Sequence, residues 1–354
     1  MIRVNYPKVK FPVFALVFFL IFSLAGCSRS EKPGSPSAPV SQSSQSPVEA
    51  KTFTLAATLA DTTSIIRCTN DMSVNIKNDT NGTVDIRVFP SSTLGAQNDF
   101  LEGVQMGTVD MCIIAAGAVE NFYPRFAVYS VPFLFSNTEH AYKFFQSDIS
   151  RQMNEEFLAK TGMRIIGLFN EGYRQVWTKA APITSLGNFK ALKMRVPDVK
   201  LYVKMFSALG CNATILPYGD VYTGLQTGLI DGVELPIPSV YTGGIYEQVK
   251  YCTMTSHIGG PMFCIINNKV WLSLTTDQQN SIIKNLEKAT TADRANLVTD
   301  TADYVAKMKD SGIKFTDLSG KEMSNLASAM DSVVQDLYGD LLPKNMLDSI
   351  RAMK

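Results

Sequence analysis

Two arginines stand where an arginine is expensive. Arg195 lies in Lys193–Val196 between Met194 and Val196, in a run that reads as an apolar strand; Pro197 breaks the strand and Asp198 caps a following helix. A guanidinium there costs several kcal/mol unless an anion meets it. Its planar fork suits a carboxylate, with two parallel hydrogen bonds. That carboxylate is either a ligand's or that of an internal Asp or Glu, and spacing alone does not choose. Arg174 follows another apolar strand, in Asn170-Glu171-Gly172-Tyr173-Arg174-Gln175. Glu234, in Glu234-Leu235-Pro236, either pairs with an arginine or faces solvent. His257, next to Gly259-Gly260, reads as a hinge residue rather than a cleft contact.

Other chemistries find no support. No GxGxxG follows a strand, and GxxxxGK[ST], GxSxG and HExxH do not occur. The only histidines are His140 and His257, far apart, and none of the six cysteines is spaced as CxxC. No metal and no cofactor is therefore expected, and Cys68, Cys112, Cys211, Cys252 and Cys264 read as small core hydrophobes. An acid pair for hydrolysis cannot be picked out by spacing. A pocket without nucleophile, metal or cofactor cradle points to binding, not turnover. The net charge of +1 leaves no footprint for nucleic acid.

Strands alternating with helices must hold these side chains. Thr52–Ala57, Val84 to Val88, Met111–Ala115, Lys193–Val196 and Ala213–Leu216 read as strands. Ile65 to Lys77, Asn98 to Met106, Asp198 to Leu209 and Asp277 to Lys309 read as helices, with further helices over Ser319–Lys354 broken at Pro343. Val104-Gln105-Met106-Gly107-Thr108-Val109-Asp110 echoes Leu225-Gln226-Thr227-Gly228-Leu229-Ile230-Asp231, a helix end with a Gly stop feeding a strand. Two α/β lobes of related topology follow from the rhythm and the echo. Ligands of open α/β sheets sit beyond the carboxyl ends of strands, so Ala115 and Leu235 would face each other across a cleft. The helix from Asp277, about 50 Å at 1.5 Å per residue, is long enough to brace both lobes. With 354 residues, 45% hydrophobic and 18% charged, the chain has material for two lobes.

The N-terminus reads as an address. Arg3, Lys8 and Lys10 precede the apolar run Phe11 to Phe22, which is short for a membrane span. Leu24-Ala25-Gly26-Cys27 resembles a bacterial lipobox, which implies cleavage after a signal peptide of residues 1–26 and a lipid on Cys27. The loss of residues 1–26 would leave 30 basic against 32 acidic residues. Residues 27–50, rich in Ser, Pro and Gln, suit a flexible tether. A periplasmic, membrane-anchored lipoprotein is expected.

Seven stretches in order carry a family resemblance: Phe89–Gly95, Leu101–Asp110, Phe122-Tyr123-Pro124, Val131–Phe135, Gly172-Tyr173-Arg174, Leu192–Pro197 and Tyr222–Glu234. The chain resembles the DctP-type solute-binding proteins of tripartite ATP-independent periplasmic (TRAP) transporters over nearly all of Thr52 to about Gly312. The resemblance implies a two-lobed, type II-like periplasmic binding protein fold with the ligand cleft between the lobes and the long helix across both. The expected division is 51–174 plus about 262–300 for lobe I and 175–261 plus about 301–354 for lobe II. The resemblance further implies that Arg195 clamps a substrate carboxylate, that Arg174 assists, and that Tyr218 packs on the ligand. The partners implied are a small organic acid and the small and large TRAP membrane subunits.

The chain departs from that pattern in two places. Glu234-Leu235-Pro236 stands where relatives often have Glu-Asn-Pro, and Ile114, Ala115 and Ala116 are apolar near a position that is polar in sialic-acid receptors. Unpaired hydroxyls at greasy strand ends would cost affinity, so an acid with one carboxylate and a fairly apolar body is expected. Two other functions stay in view. A ligand-sensing lipoprotein of the same fold would lack neighbouring membrane subunits, and a periplasmic hydrolase or lyase would turn its acid over.

Overall fold

The computed structural model describes residues 50–353; the expected signal peptide, Cys27 and nearly all of the expected tether lie outside them. In chain order the elements are β1 (Lys51–Ala57), α1 (Ser64–Asp79), β2 (Val84–Phe89), α2 (Gln97–Met106) and β3 (Met111–Ala115). Then come α3 (Thr138–Phe145), α4 (Asp148–Thr161), β4 (Met163–Thr178), β5 (Lys193–Val196), α5 (Lys200–Ala208), β6 (Asn212–Ile215) and α6 (Val221–Gln226). The chain continues through β7 (Gly232–Pro236), α7 (Ile237–Thr242), β8 (Tyr251–Met254), β9 (Gly259–Asn267) and α8 (Asn268–Leu272). It closes with α9 (Thr276–Asp310), β10 (Lys314–Asp317), α10 (Gly320–Tyr338) and α11 (Lys344–Arg351).

The strands run in the order β2-β1-β3-β9-β4-β7-β5-β6, with β8 also on β4 and β10 on β8. β4 joins the two halves. Its first part, Met163 to Tyr173, pairs antiparallel with β9, and its last part, Arg174 to Thr178, pairs with β7 and β8. The pairing of β4 thus changes from β9 to β7 and β8 between Tyr173 and Val176. Each lobe has a parallel pair of strands on its outer side, β1 with β2 and β5 with β6, as an α/β unit requires.

The long helix begins where Thr275 caps it, with Gln278 completing a capping box. Its 35 residues span about 52 Å. It packs on α1 and β4 and then on α7. Arg67 of α1 pairs with Asp300 at 2.8 Å, and Tyr241 of α7 stacks on Tyr304 at 4.4 Å between ring centroids. One rigid rod thus touches both lobes.

Two expectations need correction. Asp198 does not cap α5, because Val199 occupies the cap position and contributes no side-chain bond. The amide of Leu201 instead donates 3.2 Å to the Glu120 carboxyl, which comes from the other lobe. The C-terminal stretch does not follow lobe II as a whole. α10 packs on α5, but His140 Nε2 on α3 lies 2.7 Å from the carbonyl of Ile350 on α11, so the last helix returns to lobe I. The Pro343 break is what allows that return, since proline fixes the extended turn before α11. The five cysteines from Cys68 onward are free and buried.

Candidate functional site

Backbone irregularity builds the site. In β4 the register against β9 shifts between Asn170 and Tyr173, leaving Glu171 and Gly172 unmatched as a bulge. Asn170 Oδ1 accepts from the Gly172 amide at 2.8 Å, and Gly172 adopts φ +88°, open to glycine at little cost. A bulge of this kind re-aims a side chain at the edge of regular pairing. Opposite it Gly260 is obligatory, because a Cβ there would lie 2.7 Å from the Gly172 carbonyl. Just beyond the bulge, Arg174 sits opposite Pro236 of β7, so β4 turns its residues toward the carboxyl end of β7.

The cavity between the lobes has a volume of about 250 Å³. Ala115, Arg174, Arg195, Tyr218 and Leu235 line it, so the ends of β3 and β7 do converge. Glu234 is fully buried behind them. The two arginines have different surroundings. Arg174 Nη2 donates to Glu234 Oε1 and to the Glu234 carbonyl, both at 2.7 Å, while Nε donates to Glu234 Oε2. Its guanidinium also faces the Tyr202 ring at 5.2 Å. Burial works against its charge, but attraction to Glu234 outweighs that and holds its pKa above the ordinary value. Burial pushes the Glu234 carboxyl up, yet Arg174, aided by His257, keeps it below the usual carboxylate range. Glu234 thus pairs with an arginine and does not face solvent.

Arg195 is 4% exposed and donates through Nε to the Leu216 carbonyl at 2.7 Å. Among the described residues no carboxylate lies within ion-pair distance of it. Burial lowers its pKa to about 10, with Glu234 only partly offsetting and Arg174 adding repulsion. A side chain that still carries a proton at neutral pH and lines the cavity is equipped to take an anion.

His257 stays out of the cavity lining. It is fully buried, with Nδ1 2.8 Å from Thr255 Oγ1 and Nε2 3.6 Å from Glu234 Oε2. Burial depresses its pKa and Glu234 partly restores it. Its carbonyl accepts from the Phe133 amide at 2.9 Å, tying the β8–β9 crossing to the loop before α3.

Sequence reasoning passed over three groups. Tyr202 lines the cavity and covers Arg174. Asp198 bridges the mouth: Asn98 Nδ2 of α2 donates to its Oδ2, and Asn121 Nδ2 donates to its carbonyl, both at 3.0 Å. Glu171 is buried in the bulge, and Ser239 Oγ donates to its Oε1. The signal available for Glu171 was an acid next to Gly172 in a strand, since glycine inside a strand marks a bulge.

The family model described as DctP, bacterial extracellular solute-binding protein, family 7, matches residues 55–340. The chain belongs to this family. A solute-binding protein of Roseobacter denitrificans is 31% identical over 264 residues, 75% of this chain and 80% of that one. The 2,3-diketo-L-gulonate-binding periplasmic protein YiaO of Escherichia coli is 28% identical, covering 75% and 80% of the two chains. Among solved structures, a TRAP periplasmic solute-binding protein of Xanthobacter autotrophicus with bound β-D-galacturonate superimposes with a TM-score of 0.80. It is 26% identical, and the match covers 85% of this chain and all of that one. This DctP-family chain is thus an extracytoplasmic solute-binding protein with two lobes around a cleft, and not an enzyme.

Proposed function

We propose that this receptor captures a small organic acid by its carboxylate on Arg195 and delivers it to TRAP membrane subunits. The observation that carries the reading is Arg195 itself, buried, lining the cavity and without an acidic partner among the described residues. Arg174 has the opposite role: it is committed to Glu234 and gives the floor of the site its shape. Tyr218, Ala115 and Leu235 form the wall against which the body of the ligand lies. Leu59, Ala118, Val199, Leu216 and Met262 line the same cavity, which supports a body less polar than a sugar. Relatives crystallised with galacturonate and L-galactonate hold acids, which supports the carboxylate end of the reading.

Bonds across the mouth, from Asn98 and Asn121 to Asp198 and from Leu201 to Glu120, favour a closed state that contacts ligand from both lobes. A lipid on Cys27 would hold the receptor beside its membrane partners, and the Ser- and Pro-rich residues 27–50 supply the reach. The test is native mass spectrometry of the full-length chain in detergent, followed by denaturation and identification of what is released. A small acid carried by the natural protein and lost from Arg195→Ala is expected. Retention of that acid by Arg195→Ala, or an empty protein that no carboxylate stabilises, would overturn the reading.

A further inference from the structure

Glu171 has no part in the clamp, yet it is the buried acid closest in chemistry to a ligand contact. It is 7% exposed and lines the same cavity as Arg195, Tyr218 and Ser239. The bulge at Asn170–Tyr173 turns it there, and the glycines at 172 and 260 are what let the backbone take that path. Its Oε1 is occupied by the Ser239 hydroxyl, whereas Oε2 has no hydrogen-bond partner among the described residues. Ser239 in turn receives, at its carbonyl, the Tyr218 hydroxyl at 2.8 Å. Glu171, Ser239, Tyr218 and Arg195 therefore form one polar stretch of a cavity wall that also holds Leu59, Ala115, Leu216 and Leu235.

We propose that Glu171 is a specificity-determining ligand contact, a neutral carboxylic acid whose Oε2–H donates to a keto or hydroxyl oxygen on a substrate already held through Arg195. This deepens the carboxylate reading and rests on it. Charge pairing argues for the neutral form. Arg174 is bonded to Glu234, and Arg195 is assigned to the ligand carboxylate, so among the described residues no cation forms an ion pair with Glu171, although the Arg174 charge favours its ionised form and partly offsets burial. Nearby Asp293 and Glu234 are acids as well. Burial, chiefly, raises the Glu171 pKa to about 8, which keeps the proton in place at neutral pH. A hydroxyl or keto acid satisfies both Glu171 and the apolar wall. The deoxy acid would leave a buried donor unpaired, a loss of roughly ten- to hundredfold in affinity.

The experiment uses the full-length chain in detergent, stripped of bound ligand, and calorimetric titration with matched probes. These are 3-methylbutanoate, its 2-keto and 2-hydroxy derivatives, L-valine, succinate, D-glucuronate and L-galactonate. The 2-keto and 2-hydroxy derivatives should bind the natural protein roughly tenfold or more tightly than the deoxy acid. Glu171→Leu should erase that margin, because the oxygen-bearing acids lose their partner and the deoxy acid no longer leaves a buried donor unpaired. Glu171→Gln, which keeps a donor and the shape, should preserve most of it. An acid lost in Arg195→Ala but bound equally by natural protein and Glu171→Leu would overturn the Glu171 assignment and spare the clamp. L-Valine binding more tightly than its keto analogue would overturn the neutral-donor role. Failure of every probe to bind natural protein would overturn clamp and assignment together.

Discussion

Replacing Arg195 with methionine should raise the stability of the ligand-free protein while removing its response to acids. The guanidinium is buried and has no carboxylate in ion-pair distance among the described residues, and burial moves its pKa from 12.5 to about 10. Each pH unit of displacement is worth about 1.4 kcal/mol, so holding the charge there costs the fold about 3 kcal/mol. Methionine keeps a similar stem and fills the same space. It sacrifices the bond from Nε to the Leu216 carbonyl, worth about 1 kcal/mol. The net gain is about 2 kcal/mol, which for a chain of this size is a rise in melting temperature on the order of 4 °C. The assay is thermal unfolding of ligand-stripped protein with and without the copurified acid. Natural protein should melt higher with the acid, and Arg195→Met should melt higher than natural protein without it and ignore it when added. A fall of several degrees for ligand-free Arg195→Met, with the response to acid intact, would refute the reasoning. Such a result is what an arginine in an internal ion pair would give.

Arg174 should behave in the opposite way. Glu234→Gln removes the carboxylate from a buried, triply bonded guanidinium and should cost about 3–5 kcal/mol in denaturant unfolding. The double variant Arg174→Met with Glu234→Gln should recover part of that loss, and additive losses would count against the pairing. The pH dependence of stability should carry the mark of Glu171 and Glu120. Both have folded-state pKa values above the ordinary 4.5, at about 8 and about 7, mainly through burial. The native state then holds more protons than the unfolded chain, so stability falls as pH rises through this range and levels off above about 8. His257, whose pKa is depressed by burial, acts with opposite sign, but its effect ends once pH passes its ordinary 6.5. Chemical unfolding of ligand-free protein between about pH 7 and 8.5 should show the decline. Glu171→Gln should flatten it, and an unchanged slope would mean that Glu171 is not held neutral.

The sequence by itself determined most of the scaffold. The strands Met111–Ala115 and Lys193–Val196 were legible to the residue, the first as an unbroken apolar run and the second from Met194 and Val196 ahead of the strand-breaking Pro197. The long helix was legible from Asp277 to Lys309 because an apolar stripe recurs along it and Gly312 follows its end. Arg195 stood out because a charge in an apolar strand has few explanations. Tertiary structure decided which arginine is available. Local spacing cannot show that Glu234, sixty residues beyond Arg174, closes on it and not on Arg195; only the antiparallel pairing of β4 with β7 brings that about. The same holds for Asp198, whose position before a helix suits a cap. The geometry instead gives the α5 amide to Glu120 and frees Asp198 to bridge the cleft mouth. Glu171 is the extreme case. A single acid beside a glycine becomes a cavity residue because the register shifts at that point, and register is set by the partner strand, not by the residues themselves.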